Sequence, residues 1–302
     1  MGLVALILAV SVAAIGLYVF VVEPLWVLPW LEWITPNILY RVEMQKALVA
    51  LSFDDGPHAE FTPQVLEILE RYEAKATFFL IGERALRHPE LVARIQAAGH
   101  EIGNHYSKDG TLLGHSRARF VEELTWTGRA IAAAVADSGP DFGTASEEKT
   151  GIETRPNVAS CEEADIEDAA LKGRFYTGQQ MRKSNAIGEG KATLRFFRAP
   201  GGLAWPWQLR LAHERGYTCV LGCAYPHDPM RPPVRYMKWL IEKNLRPGTI
   251  VILHDGIRDA TGSIAALPQI LEEGKRRGLQ FVSIGGLLDR AGRAAASNRS
   301  MP

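Results

Sequence analysis

The chain has 302 residues, 47% of them apolar, with 34 basic and 34 acidic side chains, enough for one large domain or two small ones to bury a core. A formal net charge of zero leaves no electrostatic footprint for nucleic acid and no polybasic patch for anionic lipid. Three cysteines, Cys161, Cys219 and Cys223, are too few and too irregularly spaced for a disulfide framework or a zinc finger, and Cys219 and Cys223 read as buried core thiols.

Residues 2–22 form 21 uncharged, mostly apolar positions, long enough as a helix to cross a hydrocarbon core of roughly 30 Å. No basic n-region precedes them, so residues 1–23 read as a retained transmembrane anchor rather than a cleaved signal. Residues 24–43 follow as a juxtamembrane linker carrying Trp26, Trp30 and Trp33, rings that suit a membrane interface. The alternative for this lead-in is a buried amphipathic segment. Arg41 and Lys46 alone slightly favour a cytoplasmic domain.

After residue 43 the pattern alternates between short β-rich runs and helical stretches. Strands are predicted at 47–53, 76–82, 194–199, 217–225, 248–254 and 279–284. Helices are predicted after Pro63, where Val65, Ile68, Leu69 and Tyr72 recur at helical spacing, and from Pro89 to a stop at Gly99. Apolar strands alternating with helices indicate a helix-covered parallel sheet, either an α/β barrel or a doubly wound sheet. Residues 136–192 are rich in Gly, Ser, Glu and Lys and read as an insertion; 291–302 reads as a flexible tail.

Four motifs could carry chemistry. In "LSFDDGPHAE" (51–60), Asp54 and Asp55 end the first strand. Neighbours on an extended chain point opposite ways, so one could bind a metal while the other faces substrate; a solvated Asp-Gly turn would look the same. In "GHEIGNHYSKDG" (99–110), His105 and Asp109 stand four apart, on one face if the segment is helical. With Asp55 they would make the three-ligand set of a catalytic zinc site, although polar pairs on helix surfaces are common. In "FFRAPGG" (196–202), Arg198 at a strand end could clamp a carboxylate. In "IVILHDG" (250–256), His254 could hand a proton to a leaving amine. A surface ion pair and a satisfied strand-end histidine are the structural alternatives for these last two.

Taken in order, S-F-D-D-G-P (52–57), G-N-H-x-x-x-D (103–109), R-A-P-G-G (198–202) and I-L-H-D (252–255) resemble the motifs of the polysaccharide deacetylases, the NodB-homology domains of carbohydrate esterase family four. The resemblance spans residues 46–288 apart from the insertion. It implies a deformed (β/α) barrel over 44–290 and a metal-dependent hydrolase that releases acetate from N-acetylglucosamine-containing glycans. It further implies Asp54 as general base, Arg198 as the residue holding it and His254 as general acid, with Asp55, His105 and Asp109 on a divalent metal. Zinc is the default ion, with cobalt or manganese also accepted. On the substrate side it implies Pro200, Gly201, Gly202 and Leu253: Gly201 or Gly202 for an oxyanion, Leu253 with Ile252 as acetyl-pocket walls; where the chain departs from the family's pattern, Trp205 with Trp207 is the candidate for sugar stacking, and Asp228 is grouped with the same side.

Three departures stand out. Tyr106 and Asp109 replace the Ser/Thr and second His of the family's second motif, Gly201 replaces an aromatic, and the Asp-Trp motif that orients the histidine has no clean match. Asp228 is the candidate partner of His254. A second carboxylate ligand would leave a divalent ion formally neutral and a weaker Lewis acid. The expected partners are a glycan and, through the N-terminal helix, a membrane, with the domain outside the cytoplasm by resemblance; no nucleic acid or protein partner is expected. The alternatives are an O-acetyl esterase on the same machinery and a non-catalytic glycan-binding relative.

Overall fold

The computed structural model describes residues 10, 11, 16, 25–137 and 194–299. In chain order these form α1 (Leu28–Ile34), β1 (Ile38–Leu39), β2 (Leu48–Gly56), α2 (Phe61–Arg71), β3 (Thr77–Leu80), α3 (Gly82–Arg87), α4 (Pro89–Ala97), β4 (Glu101–Asn104) and α5 (Arg117–Asp137). The second half adds β5 (Phe196–Phe197), α6 (Pro206–Glu214), β6 (Thr218–Val220), α7 (Val234–Asn244), β7 (Ile250–His254), α8 (Thr261–Arg276), β8 (Gln280–Val282) and α9 (Ile284–Arg299).

Among the described residues every pair of these strands is parallel, in the order β1-β6-β5-β4-β3-β2-β7, with β8 also on β2. Parallel pairing requires crossovers, and the helices between strands supply them. The stretch just after β6 reaches β7: Ala224 bridges Val251, and Ile252 N–H donates to Ala224 O at 3.0 Å. The sheet therefore curls until its two ends meet, the NodB-type arrangement expected.

Strand β2 shows how the sequence sets this up. Its odd residues, Val49, Leu51 and Phe53, enter a core shared with Val65 and Leu69 of α2, Met237 and Ile241 of α7, and Leu267 and Ile270 of α8. Its even residues Leu48 and Ala50 enter a second core inside the curl with Phe79, Phe196, Val220 and Ile250. A period of two thus carries Ser52 and Asp54 onto the inner face, at the C-terminal end where chemistry gathers in such folds.

Several expectations need adjusting. Residues 38–39 of the expected linker pair with β6 as an edge strand, and Leu28 and Tyr40 are buried beside Cys223. The expected anchor lies almost wholly outside the described residues, among which no helix is long and apolar enough to cross a membrane. Of the insertion, residues 136 and 137 end α5 and the rest lies outside. The tail is helical to Arg299, because its alanine-rich run favours helix. Strand β4 was hidden by its short polar sequence; Gly103 is required there because a Cβ would sit 2.6 Å from the Phe79 ring.

Candidate active site

Asp54 and His254 are register partners on β2 and β7, so both side chains project from neighbouring strand ends onto the inner face. Arg198 follows β5 directly, and His105 follows β4; their backbone N–H groups donate to Asn104 O and Leu80 O, each at 3.0 Å. Four of the five successive strands β5-β4-β3-β2-β7 therefore deliver four functional groups to one end of the curl.

Arg198 is fully enclosed. Its Nη1 donates to Asp54 Oδ1 at 2.5 Å and Ser52 Oγ at 2.9 Å, its Nε donates to Val220 O at 3.2 Å, and its guanidinium lies 4.1 Å from the Phe79 ring centroid. Asp54 is buried against this fixed cation in a close charge-assisted contact. Ser52 donates in turn to Val251 O at 2.8 Å, which fixes the hydroxyl's remaining lone pairs toward Arg198.

His254 is held from behind. Its Nδ1 lies 2.9 Å from Asp228 Oδ1, its backbone N–H donates to Asp228 Oδ2 at 2.8 Å, and the Ser263 hydroxyl donates to Oδ2 at 2.6 Å. Burial alone would depress the imidazole, but Asp228, with Asp54 and Asp55 behind it, outweighs burial and raises its pKa to about 9. His254 is therefore protonated at neutral pH, with Nδ1 committed to Asp228 and Nε2 left to carry the transferable proton. Asp228, the candidate partner named from the sequence, is buried against the histidine.

Asp55 departs from simple strand alternation. Its φ is +66°, a left-handed conformation that aspartate tolerates better than most residues, and the kink turns its carboxylate across the sheet rather than to the opposite face. Oδ1 meets His105 Nε2 at 3.1 Å, while His105 Nδ1 is 2.9 Å from Arg198 O. Burial raises the Asp55 pKa, but the His105 contact, with His254 and Arg84 beyond, brings it down to about 2.

The third expected metal ligand does not join this pair. The segment after β4 is not helical: Tyr106 takes φ +75° and the chain bends through 107–110, so a spacing of four no longer places two side chains on one face. Asp109 is exposed and pairs with Arg84 Nη2. Among the described residues, no group of three His, Cys, Asp or Glu side chains is placed to hold a metal ion. The three-ligand set expected from sequence is not assembled; of its three members, Asp55 and His105 are brought together as a donor pair and Asp109 is not.

Leu253 also needs correcting. It lies in the outer core with Val251, whereas Ile252, one residue earlier, shares the inner face with His254. Pro200 is buried and Gly201 exposed in a tight turn, where Gly201 and Gly202 take φ of +62° and +70°. Gly202 N–H is spent on Ala199 O at 2.9 Å. Trp205 is exposed at the start of α6, its backbone N–H donating to Gln208 Oε1 at 2.8 Å. Trp207 instead packs edge-on against Phe120.

The sequence did not point to Ser52, Ser263, Arg84 or Asp255. Ser52 was findable, being two residues before Asp54 on one face. Asp255 is wholly buried, its Oδ2 accepting from the Thr62 hydroxyl at 2.5 Å; burial pushes its carboxyl up to about 7. The ends of β2 and β7 also touch: a Cβ on Gly256 would overlap Asp55 O. Gly256→Ala is expected to destabilise the protein by about 1–3 kcal/mol through overpacking and to displace Asp55, as a thermal melt run beside an activity assay would register.

A sequence profile of the polysaccharide deacetylases matches residues 41–143. A peptidoglycan-N-acetylglucosamine deacetylase of Bacillus cereus is 31% identical over 256 residues, covering 84% of this chain and 94% of that protein. A chitooligosaccharide deacetylase of Sinorhizobium fredii is 27% identical over 208 residues, covering 69% of this chain and 72% of that protein. The crystal structure of the Bc1960 peptidoglycan N-acetylglucosamine deacetylase superposes with a TM-score of 0.63 at 24% identity, over 85% of this chain and 95% of that one. Joined to the geometry of a curled parallel sheet with its polar groups at the strand ends, these likenesses mean that the chain belongs to the polysaccharide deacetylase family and is an enzyme of that class.

Proposed function

We propose that the protein removes acetyl groups from N-acetylglucosamine units of a peptidoglycan- or chitin-like glycan, releasing acetate and leaving a free amine. The observation that carries this reading is the in-register pair of Asp54 and His254, one held by a buried cation and the other by a buried anion. Amide hydrolysis needs a base for the attacking water and an acid for the leaving nitrogen. Asp54, held by its pairing with Arg198, takes the water proton. His254, kept protonated by Asp228, gives a proton to the amine as the carbon–nitrogen bond breaks. The Gly201 N–H is the backbone donor for the developing oxyanion, and Trp205 offers an exposed ring for a sugar face.

Enzymes of this family generally depend on a divalent metal. In this chain Asp55 and His105 are the donor pair that would hold it, with zinc the first ion to try and cobalt or manganese next. Acetate release from N-acetylchitooligosaccharides, peptidoglycan and acetylated xylan, each with EDTA and with added zinc, cobalt or manganese, tests the reading. Release from the N-acetyl substrates, suppressed by EDTA and restored by one of the ions, is the expected result. Release from xylan alone would assign an O-acetyl esterase, and no release under any condition would overturn an enzymatic role.

The reading includes a membrane-anchored enzyme acting outside the cytoplasm. Residues 2–22 supply the apolar length, and Trp26, Trp30 and Trp33 are 68%, 59% and 78% exposed just after it. The full chain is expected in the membrane fraction, and recovery in the soluble fraction would refute the anchor.

A further inference from the structure

Arg84, at the third position of α3, reaches three loops at once. Its Nη1 donates to Asp55 O at 2.5 Å and also to Gly256 O, while Nη2 pairs with the Asp109 carboxylate. The first of these acceptors belongs to the residue whose backbone is left-handed. The second belongs to the loop leaving β7 immediately after His254 and Asp255. The third belongs to the loop leaving β4 immediately after His105. One planar guanidinium thus ties the ends of the strands that carry Asp54, His254 and His105, a task that suits a rigid fork of donors rather than a point charge.

The surrounding backbone supports the same assignment. Ile81 N–H donates to Gly56 O, Gly82 N–H to Tyr106 O and Glu83 N–H to Ser107 O, each at 2.9 Å, so the start of α3 is already pinned to the β2 and β4 loops. A left-handed non-glycine residue persists only where its surroundings over-determine it. At Asp55 the constraints are Arg84 on its carbonyl, the close approach of Gly256 and the contact of its carboxylate with His105.

We propose that Arg84 is a positioning residue for Asp55 and that Asp109 acts through Arg84 rather than as a metal ligand. The Asp109 carboxylate turns the guanidinium so that its other nitrogen faces Asp55 O and Gly256 O. The carbonyl so fixed sets the direction in which the Asp55 side chain leaves the kink toward His105. The carboxylate that sequence spacing suggested for the metal is therefore used one contact further out. This rests on the deacetylase reading for its kinetic consequence, but not for its structural one.

The test uses the full chain with Arg84→Ala, Arg84→Lys, Asp109→Asn and the double variant Arg84→Ala/Asp109→Asn, with Asp55→Asn as reference. Three quantities are measured: kcat and KM on N-acetylchitopentaose, zinc content after dialysis against zinc chloride, and hydrogen exchange of the peptide covering 50–58. Arg84→Ala is expected to lower kcat about 10- to 100-fold, the scale of an ångström-size misplacement, with KM changed less than about twofold, and Arg84→Lys to recover part of it. Asp109→Asn should have a smaller effect that adds nothing on the Arg84→Ala background. Exchange at 50–58 should quicken in both single variants, and zinc content in Asp109→Asn should equal that of the wild type. Three outcomes would overturn the proposal: zinc lost in Asp109→Asn but kept in Arg84→Ala, additive effects in the double variant, or unchanged exchange in Arg84→Ala. If the wild type releases no acetate, the deacetylase reading fails, and exchange with its additivity still decides the role of Arg84.

Discussion

Replacing Asp54 with asparagine is expected to lower kcat/KM for acetate release by about 100- to 10,000-fold, the usual contribution of a positioned proton acceptor. Asparagine keeps the shape and one acceptor oxygen, so the 2.5 Å contact from Arg198 Nη1 can persist. What is lost is the charge. Arg198 is then a buried cation whose remaining partners, Ser52 Oγ and Val220 O, are neutral, and breaking a buried pair from one side costs about 3–5 kcal/mol. Activity and stability should therefore fall together, and urea unfolding followed by circular dichroism gives the second quantity. Ser52→Ala separates them: it removes one neutral acceptor from Arg198, at about 1 kcal/mol, and leaves the Asp54–Arg198 charge pair in place. If the asparagine variant retained the wild-type rate, the proton acceptor would lie elsewhere, however close Asp54 is to His254.

The parts of the site written in strand alternation were legible in the sequence. Asp54 and His254 end apolar runs, and the parallel-sheet reading placed both at the reactive end. Period two alone would also have put Ile252 rather than Leu253 beside His254, since the inner face takes every second residue of β7. What was not legible depends on turns. The separation of His105 and Asp109 by four carried meaning only on a helix, and the left-handed Tyr106 removed it. Strand β4 has four residues, one of them a glycine placed there by Phe79, so no hydrophobic period announced it. Arg84 lies on a short helix after β3 with no local pattern marking its guanidinium as different from that of Arg87, which faces Glu83 at 3.9 Å instead. Its role exists only once three loops have converged. Asp228 is intermediate: its pairing with His254 followed from the need for a carboxylate behind the histidine, not from any spacing, since 26 residues separate them.

Asp228→Asn should move the alkaline limb of the pH–rate profile. In the folded protein His254 titrates at about 9 against an ordinary 6.5. A histidine raised in this way contributes stability that is fully present below about pH 6.5 and is lost as pH rises through about 9. The groups facing it are Asp228 behind Nδ1, the carboxylates of Asp54 and Asp55, and the uncharged ring of Tyr225 at 5.8 Å. Removing the Asp228 charge leaves burial, which lowers the pKa, opposed only by the two more distant carboxylates. The imidazole then deprotonates at lower pH, and at pH 8 the variant has lost most of its proton donor while the wild type retains it. The alkaline limb of kcat should shift down from about pH 9 toward neutrality, with a rate deficit at pH 8 that shrinks at pH 6. An NMR titration of the His254 ring protons should track the same shift, which ties the limb to this residue rather than to the fold. The asparagine also donates where the carboxylate accepted, so it competes with the Ser263 hydroxyl and the His254 backbone N–H that now converge on Oδ2; the loss at pH 6 that remains after the pH effect measures that disorder. An unmoved alkaline limb in Asp228→Asn would mean that His254 is not the proton donor.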